Sequence, residues 1–237
     1  MKLEEHIVKS SSGEYSRKVW LLNGAKGATQ KLCLFLDAEY YLNKMDAVPM
    51  LIDLQASGAI PLATCLFVSH VNGEARHADY TCNPSYARFI AEDIVHWAKE
   101  RNEGISEYDN LICGLSLSGL ESAYLTLTCP ELFPYALCQS GSFWWNKEWL
   151  LGQAKSLSNK RSRLWISVGD QERESGVSHQ PTGMRQEVSQ VDATENIVEE
   201  LKLLGYGVSY HLFSGGHDTV PWKEELPSAL KWLIGKA

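Results

Sequence analysis

Short, nearly continuous apolar runs are the tightest constraint on what this chain can fold into. Cys33-Leu34-Phe35-Leu36 and Leu164-Trp165-Ile166-Ser167-Val168 are strand-sized and lack the strict alternation of a strand wetted on one face. Runs of this kind belong to strands buried on both faces, as in a mostly parallel sheet covered by helices. The strand candidates are Lys18–Leu22, Lys31–Leu36, Leu62–Ser69, Asn110–Cys113, Tyr135–Gln139, Arg163–Val168 and Gly207–Phe213. Helical spacing appears between them. Pro84 to Arg101 repeats Tyr86, Phe89, Ile90, Ile94, Val95 and Trp97 at about one turn, and Val188 to Leu204 does the same with Val191, Ile197, Val198, Leu201 and Leu204. Gly205 suits the C-cap of that second helix. Asp46 to Gln55, Leu117 to Thr128 and Trp222 to Ile234 are further helices. Alternation of strands and helices over 237 residues, with no repeat, low-complexity tract or linker, predicts a single doubly wound α/β domain over residues 1–237.

Two polar connections interrupt this pattern, Gly152 to Arg161 and Gln171 to Met184. The second follows a buried strand and is expected at the C-terminal edge of the sheet, where α/β proteins build their sites. The formal net charge of −7 argues against sequence-independent nucleic-acid binding, which needs a basic surface. No apolar run is long enough to cross a bilayer, so no membrane partner is expected. The N-terminal residues Met1-Lys2-Leu3-Glu4-Glu5-His6 turn acidic at once, with no apolar stretch of an export signal behind them. The six cysteines form no CxxC pair and no metal-ligand spacing, and four lie in apolar segments where Cys acts as a small hydrophobe. Reduced thiols, a cytoplasmic location, and neither a metal nor a cofactor are the expectation.

The segment carrying the chemistry is Cys113-Gly114-Leu115-Ser116-Leu117-Ser118-Gly119, where a buried strand runs into a helix. A serine on such a strand-to-helix turn projects its hydroxyl above the sheet. Small residues two before and two after it let the two backbones approach, and Gly114 and Ser118 meet that need. The Leu117 backbone N–H, at the helix N-terminus, is placed to stabilise an oxyanion formed on attack.

A hydroxyl needs a base to become a nucleophile. Of the seven histidines, His217 has the best context: it lies in Ser214-Gly215-Gly216-His217-Asp218, between the last strand and the final helix. His6, His96 and His211 sit near the terminus, in a helix and in a strand. His70, His77 and His179 could line a pocket but have no base-like setting. A third group must orient the imidazole and stabilise its cation. In the order serine, acid, histidine, that acid follows the strand Arg163–Val168, where Asp170, Glu172 and Glu174 compete. Asp218 suits a helix cap.

Taken together, these segments resemble the esterase D and enterochelin esterase group of α/β hydrolases, over about Leu32 to Trp222. The carriers are Leu34-Phe35-Leu36-Asp37-Ala38-Glu39, the Gly114–Gly119 turn, Gln139-Ser140-Gly141-Ser142-Phe143-Trp144-Trp145, Gly169-Asp170-Gln171-Glu172 and Gly215-Gly216-His217-Asp218. The resemblance implies a three-layer α/β-hydrolase sandwich with a mostly parallel central sheet. It favours Glu172 as the acid, with Asp170 and Glu174 as fallbacks. It also implies a second oxyanion-stabilising amide from Ala38 or Glu39, where Ala38 replaces the family's usual Gly in a turn that favours positive φ. Ser118 likewise stands where Gly is more usual. The resemblance further implies that Trp144 and Trp145 floor an acyl or aryl pocket and that Arg76 meets polar substrate groups.

The expected function is therefore hydrolysis of a small carboxylic ester through an acyl-enzyme, with Ser116, His217 and Glu172 as triad. The family's range covers catecholate siderophore esters, feruloyl and acetyl sugar esters and S-formylglutathione. Acyl transfer with the same nucleophile and a non-catalytic hydrolase-like binding protein are the competing readings.

Overall fold

The computed structural model describes residues 2–24, 30–157, 162–180 and 182–235. Eight strands form the main sheet: β1 (Leu3–Lys9), β2 (Ser16–Leu22), β3 (Lys31–Leu36), β4 (Ala63–Val68), β5 (Leu111–Leu115), β6 (Tyr135–Gln139), β7 (Arg163–Gly169) and, last in sequence, β10 (Gly207–Phe213). A two-stranded hairpin, β8 (Val177–His179) with β9 (Met184–Gln186), stands apart from it. The order across the main sheet is β1-β2-β4-β3-β5-β6-β7-β10. β2 runs antiparallel to both β1 and β4, and every pair from β4 through to β10 is parallel.

The helices are α1 (Ala38–Asn43), α2 (Ala47–Ala56), α3 (Gly73–Asp79), α4 (Pro84–Arg88), α5 (Val95–Arg101), α6 (Leu117–Thr128), α7 (Trp145–Ala154), α8 (Gln190–Leu203) and α9 (Thr219–Ile234), with a π-helical segment, Phe89–Ile94, joining α4 to α5. Successive strand residues point to opposite faces, and each face meets its own helices. Leu32, Leu34 and Leu36 of β3 pack with Leu120 and Leu125 of α6 and Ile197 and Leu201 of α8. Cys33 and Phe35 pack on the other face with Leu51 of α2 and Leu226, Leu230 and Leu233 of α9. The result is the expected three-layer α/β-hydrolase sandwich.

The strand and helix spans follow the apolar pattern closely, and Gly205 does take the positive φ, +88°, that ends α8. The pattern omitted β1, an edge strand with Glu4, Glu5, Ile7 and Lys9 exposed, and the helices α1, α3 and α7. Helix α7 absorbs the first part of the polar connection Gly152–Arg161, whose residues 158–161 lie outside the described residues. The connection Gln171–Met184, apart from Pro181, which also lies outside them, contains β8 and the first residue of β9. The six cysteines are free thiols, five of them buried. Among the described residues, no helix is long and apolar enough to cross a membrane.

Candidate active site

Asp37, Ser116 and Ser140 stand immediately after β3, β5 and β6, and each has positive φ: 57°, 54° and 43°. Non-glycine residues in such conformations carry local strain of about 1–3 kcal/mol and persist only where surrounding contacts impose them. For Ser116 (φ 54°, ψ −123°) those contacts come from its neighbours. Its N–H donates to Gln139 O at 2.9 Å, and its carbonyl accepts from Ser142 N–H at 3.0 Å. A Cβ on Gly114 would lie 2.0 Å from Ser118 O, so only glycine fits where the strand meets the helix. Gly119 packs against Gly141, and a Cβ added to Gly119 would lie 3.0 Å from the Gly141 Cα.

Ser116 and His217 together line two cavities, of about 410 and 440 Å³. The His217 side chain is 43% exposed, and its Nδ1 lies 2.6 Å from Glu172 Oε2. The other Glu172 oxygen accepts from Ser140 Oγ at 2.6 Å and from Gly169 N–H at 2.8 Å. Trp222 packs edge-on to the His217 ring at 4.9 Å and donates its Nε1–H to Ser140 Oγ at 3.0 Å. Of the competing acids, Asp170 turns to the backbone and accepts from Gly215 N–H at 2.9 Å. Glu174 lines the first cavity without meeting the imidazole. Among the described residues, Ser116 Oγ has one hydrogen-bonding contact, Ser142 Oγ at 3.5 Å. Catalytic hydrogen bonds are often long in ligand-free states and tighten when substrate is bound.

Leu117 lines the first cavity, and its N–H makes no hydrogen bond among the described residues. Ala38 is fully buried as the first residue of α1, and it does not carry the positive φ foreseen for its position. That conformation falls on Asp37, the residue before it. Ala38 and Glu39 line neither cavity, though the adjacent Tyr40 lines the second.

Asp37 sits in an ionic cluster behind the turn. It is fully buried and takes three hydrogen bonds from Arg76 at 2.7 to 3.0 Å. Ser118 Oγ lies 2.8 Å from Asp37 Oδ2 and also accepts from Leu115 N–H at 2.8 Å. The hydroxyl that replaces the usual glycine thus ties the elbow to α1. His70 Nδ1 lies 3.0 Å from Asp37 Oδ1 and 2.9 Å from Glu39 Oε2, at angles too poor for hydrogen bonds, so the contact is an ion pair when the imidazole is protonated. Glu39 also accepts from Ser69 Oγ and from His70 N–H. Burial works to raise the Asp37 pKa, but Arg76, His70 and Ser118 outweigh it and hold the carboxyl below its usual range.

Arg76 lines both cavities, with Nε and Nη2 of its guanidinium held by Asp37. Trp144 lines the first cavity, stacked on His179 at 4.9 Å with 14° between the rings. Trp145 does not line it; half-buried, it packs edge-on to Trp149 at 6.1 Å. The connection after β7 supplies Gln171, Glu172, Glu174, Val177, His179 and Gln180 to the cavity wall. His77 lines the same cavity, whereas His70 belongs to the ionic cluster. Ser140 and Gln190 escaped the sequence reading as site residues. Gln190 donates to the Ser140 and Gly141 carbonyls from the start of α8, a link that joins segments fifty residues apart and leaves no local signal.

Comparison with known proteins places these features in context. A family model described as "Putative esterase" matches residues 12–233. The chain is 27% identical over 233 residues to the iron(III) enterobactin esterase of Dickeya dadantii, covering 95% of this chain and 53% of that protein. With the iron(III) enterobactin esterase of Escherichia coli it shares 24% over 238 residues, covering 96% and 56%. The chain thus spans about half the length of the curated relatives it matches. Its fold is similar to that of the Shigella flexneri enterobactin esterase solved in the presence of enterobactin, with a TM-score of 0.85 and 24% identity over 98% of this chain and 59% of the other. It is also similar in fold to the BES protein from Bacillus cereus, with a TM-score of 0.80 and 16% identity over 100% and 97% of the two chains.

Proposed function

The chain belongs to the esterase family whose model it matches, and on that premise we propose that it is a serine carboxylic ester hydrolase working through an acyl-enzyme. The observation carrying this reading is one cavity wall that holds Ser116 on its strained elbow together with His217, whose Nδ1 is 2.6 Å from Glu172. His217 Nε2 takes the Ser116 proton as Oγ attacks the ester carbonyl, and returns it to the departing alcohol oxygen. Glu172 fixes the ring with a proton on Nδ1 and stabilises the imidazolium while it lasts. The oxyanion is held by the Leu117 N–H and by a first-turn amide of α1, Ala38 or Glu39. Water, deprotonated by the same imidazole, then attacks the acyl-enzyme and releases the acid.

The substrate is a small ester. Trp144, stacked on His179 in the first cavity, supports an aromatic or extended acyl group there. Similarity to proteins named iron(III) enterobactin esterase supports including an enterobactin-type ester among the candidates. The test is turnover of p-nitrophenyl acetate and butyrate, feruloyl, catecholate-serine and thioester substrates by the wild-type protein and by Ser116→Ala. Hydrolysis by the wild type that drops at least ~10³-fold in the variant is expected. Equal turnover by both proteins would refute the nucleophile.

A further inference from the structure

We propose that His70, in its charged form, is a positioning residue for the turn Asp37–Glu39, and that its charge sustains ester turnover. The inference rests on the reading above that a first-turn amide of α1 helps hold the oxyanion. That turn is built around two carboxylates and two cationic side chains. Arg76, from α3, forks onto Asp37 and compensates its charge. Glu39, from α1, has one cationic partner among the described residues, His70. Its other contacts are neutral: Ser69 Oγ, whose own oxygen accepts from Val71 N–H, and the His70 backbone N–H.

The groups facing the imidazole are therefore the Asp37 and Glu39 carboxylates from the α1 turn and the Tyr40 ring at 6.1 Å, with Arg76 also bonded to the shared Asp37. With His70 charged, two negative and two positive groups balance. Without its proton, the half-buried Glu39 carboxylate is left uncompensated, and its repulsion with the buried Asp37 is only partly screened by solvent. The Glu39 side chain and the backbone carrying it are then free to move, and so is the first-turn amide assigned above to the oxyanion.

Burial alone lowers the His70 pKa, but hydrogen-bond-distance contacts with Asp37 and Glu39 outweigh it and raise it from 6.5 to about 9. The folded value lies above the unfolded one. Any stability from this contact is thus complete below pH 6.5 and is lost as pH rises through about 9. Activity follows the same sign, full where His70 is charged and falling on the alkaline side.

The experiment is a kcat and KM profile on p-nitrophenyl butyrate from about pH 6.5 to 10, with far-UV circular dichroism at each pH to restrict the data to folded protein. For the wild type, kcat should fall ~10-fold around pH 9 with KM little changed, a fraction of the loss from deleting an oxyanion donor outright. His70→Gln should sit on the low plateau at pH 7 and show no step near pH 9. Glu39→Gln, which removes the carboxylate that deprotonated His70 would leave uncompensated, should shrink the step and move what remains of it to lower pH. An active wild type without the step, or a step unchanged in both variants, overturns the His70 assignment alone. A wild type inert on every ester overturns the esterase reading, and this assignment with it.

Discussion

Glu172 meets His217 Nδ1 with one carboxylate oxygen at 2.6 Å while its other oxygen is held by Ser140 Oγ and Gly169 N–H. The carboxylate is thereby clamped to the ends of two neighbouring strands, and the imidazole inherits that orientation. Glu172→Gln would present an amide to donors on one side or to the ring on the other, favouring the wrong tautomer. It should lower kcat by ~10²–10⁴-fold. Asp170→Asn removes only a carboxylate that accepts from Gly215 N–H and should cost less than ~10-fold. Parallel kinetics on the two variants check this, and the reverse ranking would assign the triad acid to Asp170.

Ser118 fills the elbow position with a hydroxyl that accepts from Leu115 N–H and bonds to Asp37. Ser118→Ala leaves a buried N–H without a partner and should destabilise the fold by ~1–3 kcal/mol. Ser118→Gly adds the conformational freedom of glycine in the first turn of α6 and should cost ~0.5–1 kcal/mol more. Urea denaturation at neutral pH measures both.

Trp144 is 6% exposed and lines the first cavity, whereas Trp145 packs on Trp149 away from it. Trp144→Ala should therefore reduce kcat/KM for an aromatic acyl ester by ~10-fold or more and for an acetyl ester by much less. Trp145→Phe should leave both unchanged within about twofold. Steady-state kinetics on feruloyl and acetyl esters separates the two roles.

Glu121 lies in α6, fully buried, and neither carboxylate oxygen forms a hydrogen bond among the described residues. Burial drives its pKa well above the usual range, and the facing amides of Cys82 and Asn83 offset only part of that. The folded state thus holds a proton that the unfolded chain releases. This favourable contribution is complete below the ordinary carboxylate pKa and is lost as pH rises toward the folded value. Glu121→Gln, neutral at every pH, should become progressively more stable relative to wild type from about pH 4 to pH 7. Thermal melts across that range test the sign.

The sandwich was legible because β3, β5, β6 and β7 are apolar on both faces, a pattern that admits few alternatives. β1 was not, because its pairing with β2 buries little and leaves Ile7 65% exposed. Helix α1 has six residues, too few for a period to show. The elbow and the histidine loop could be read locally, from glycines that sterics and sharp turns demand. The choice among Asp170, Glu172 and Glu174 could not, since side chains two residues apart diverge only once the backbone after β7 is built. The ionic cluster around Asp37 joins residues up to 81 positions apart, so its members looked like unrelated polar residues.

The most direct measurement is covalent labelling by a fluorophosphonate, followed by mass spectrometry of the labelled peptide. A single adduct on Ser116, with esterase turnover lost in proportion to labelling and no adduct in Ser116→Ala, is the predicted result. An adduct on another residue, or full turnover by protein labelled at Ser116, would contradict it.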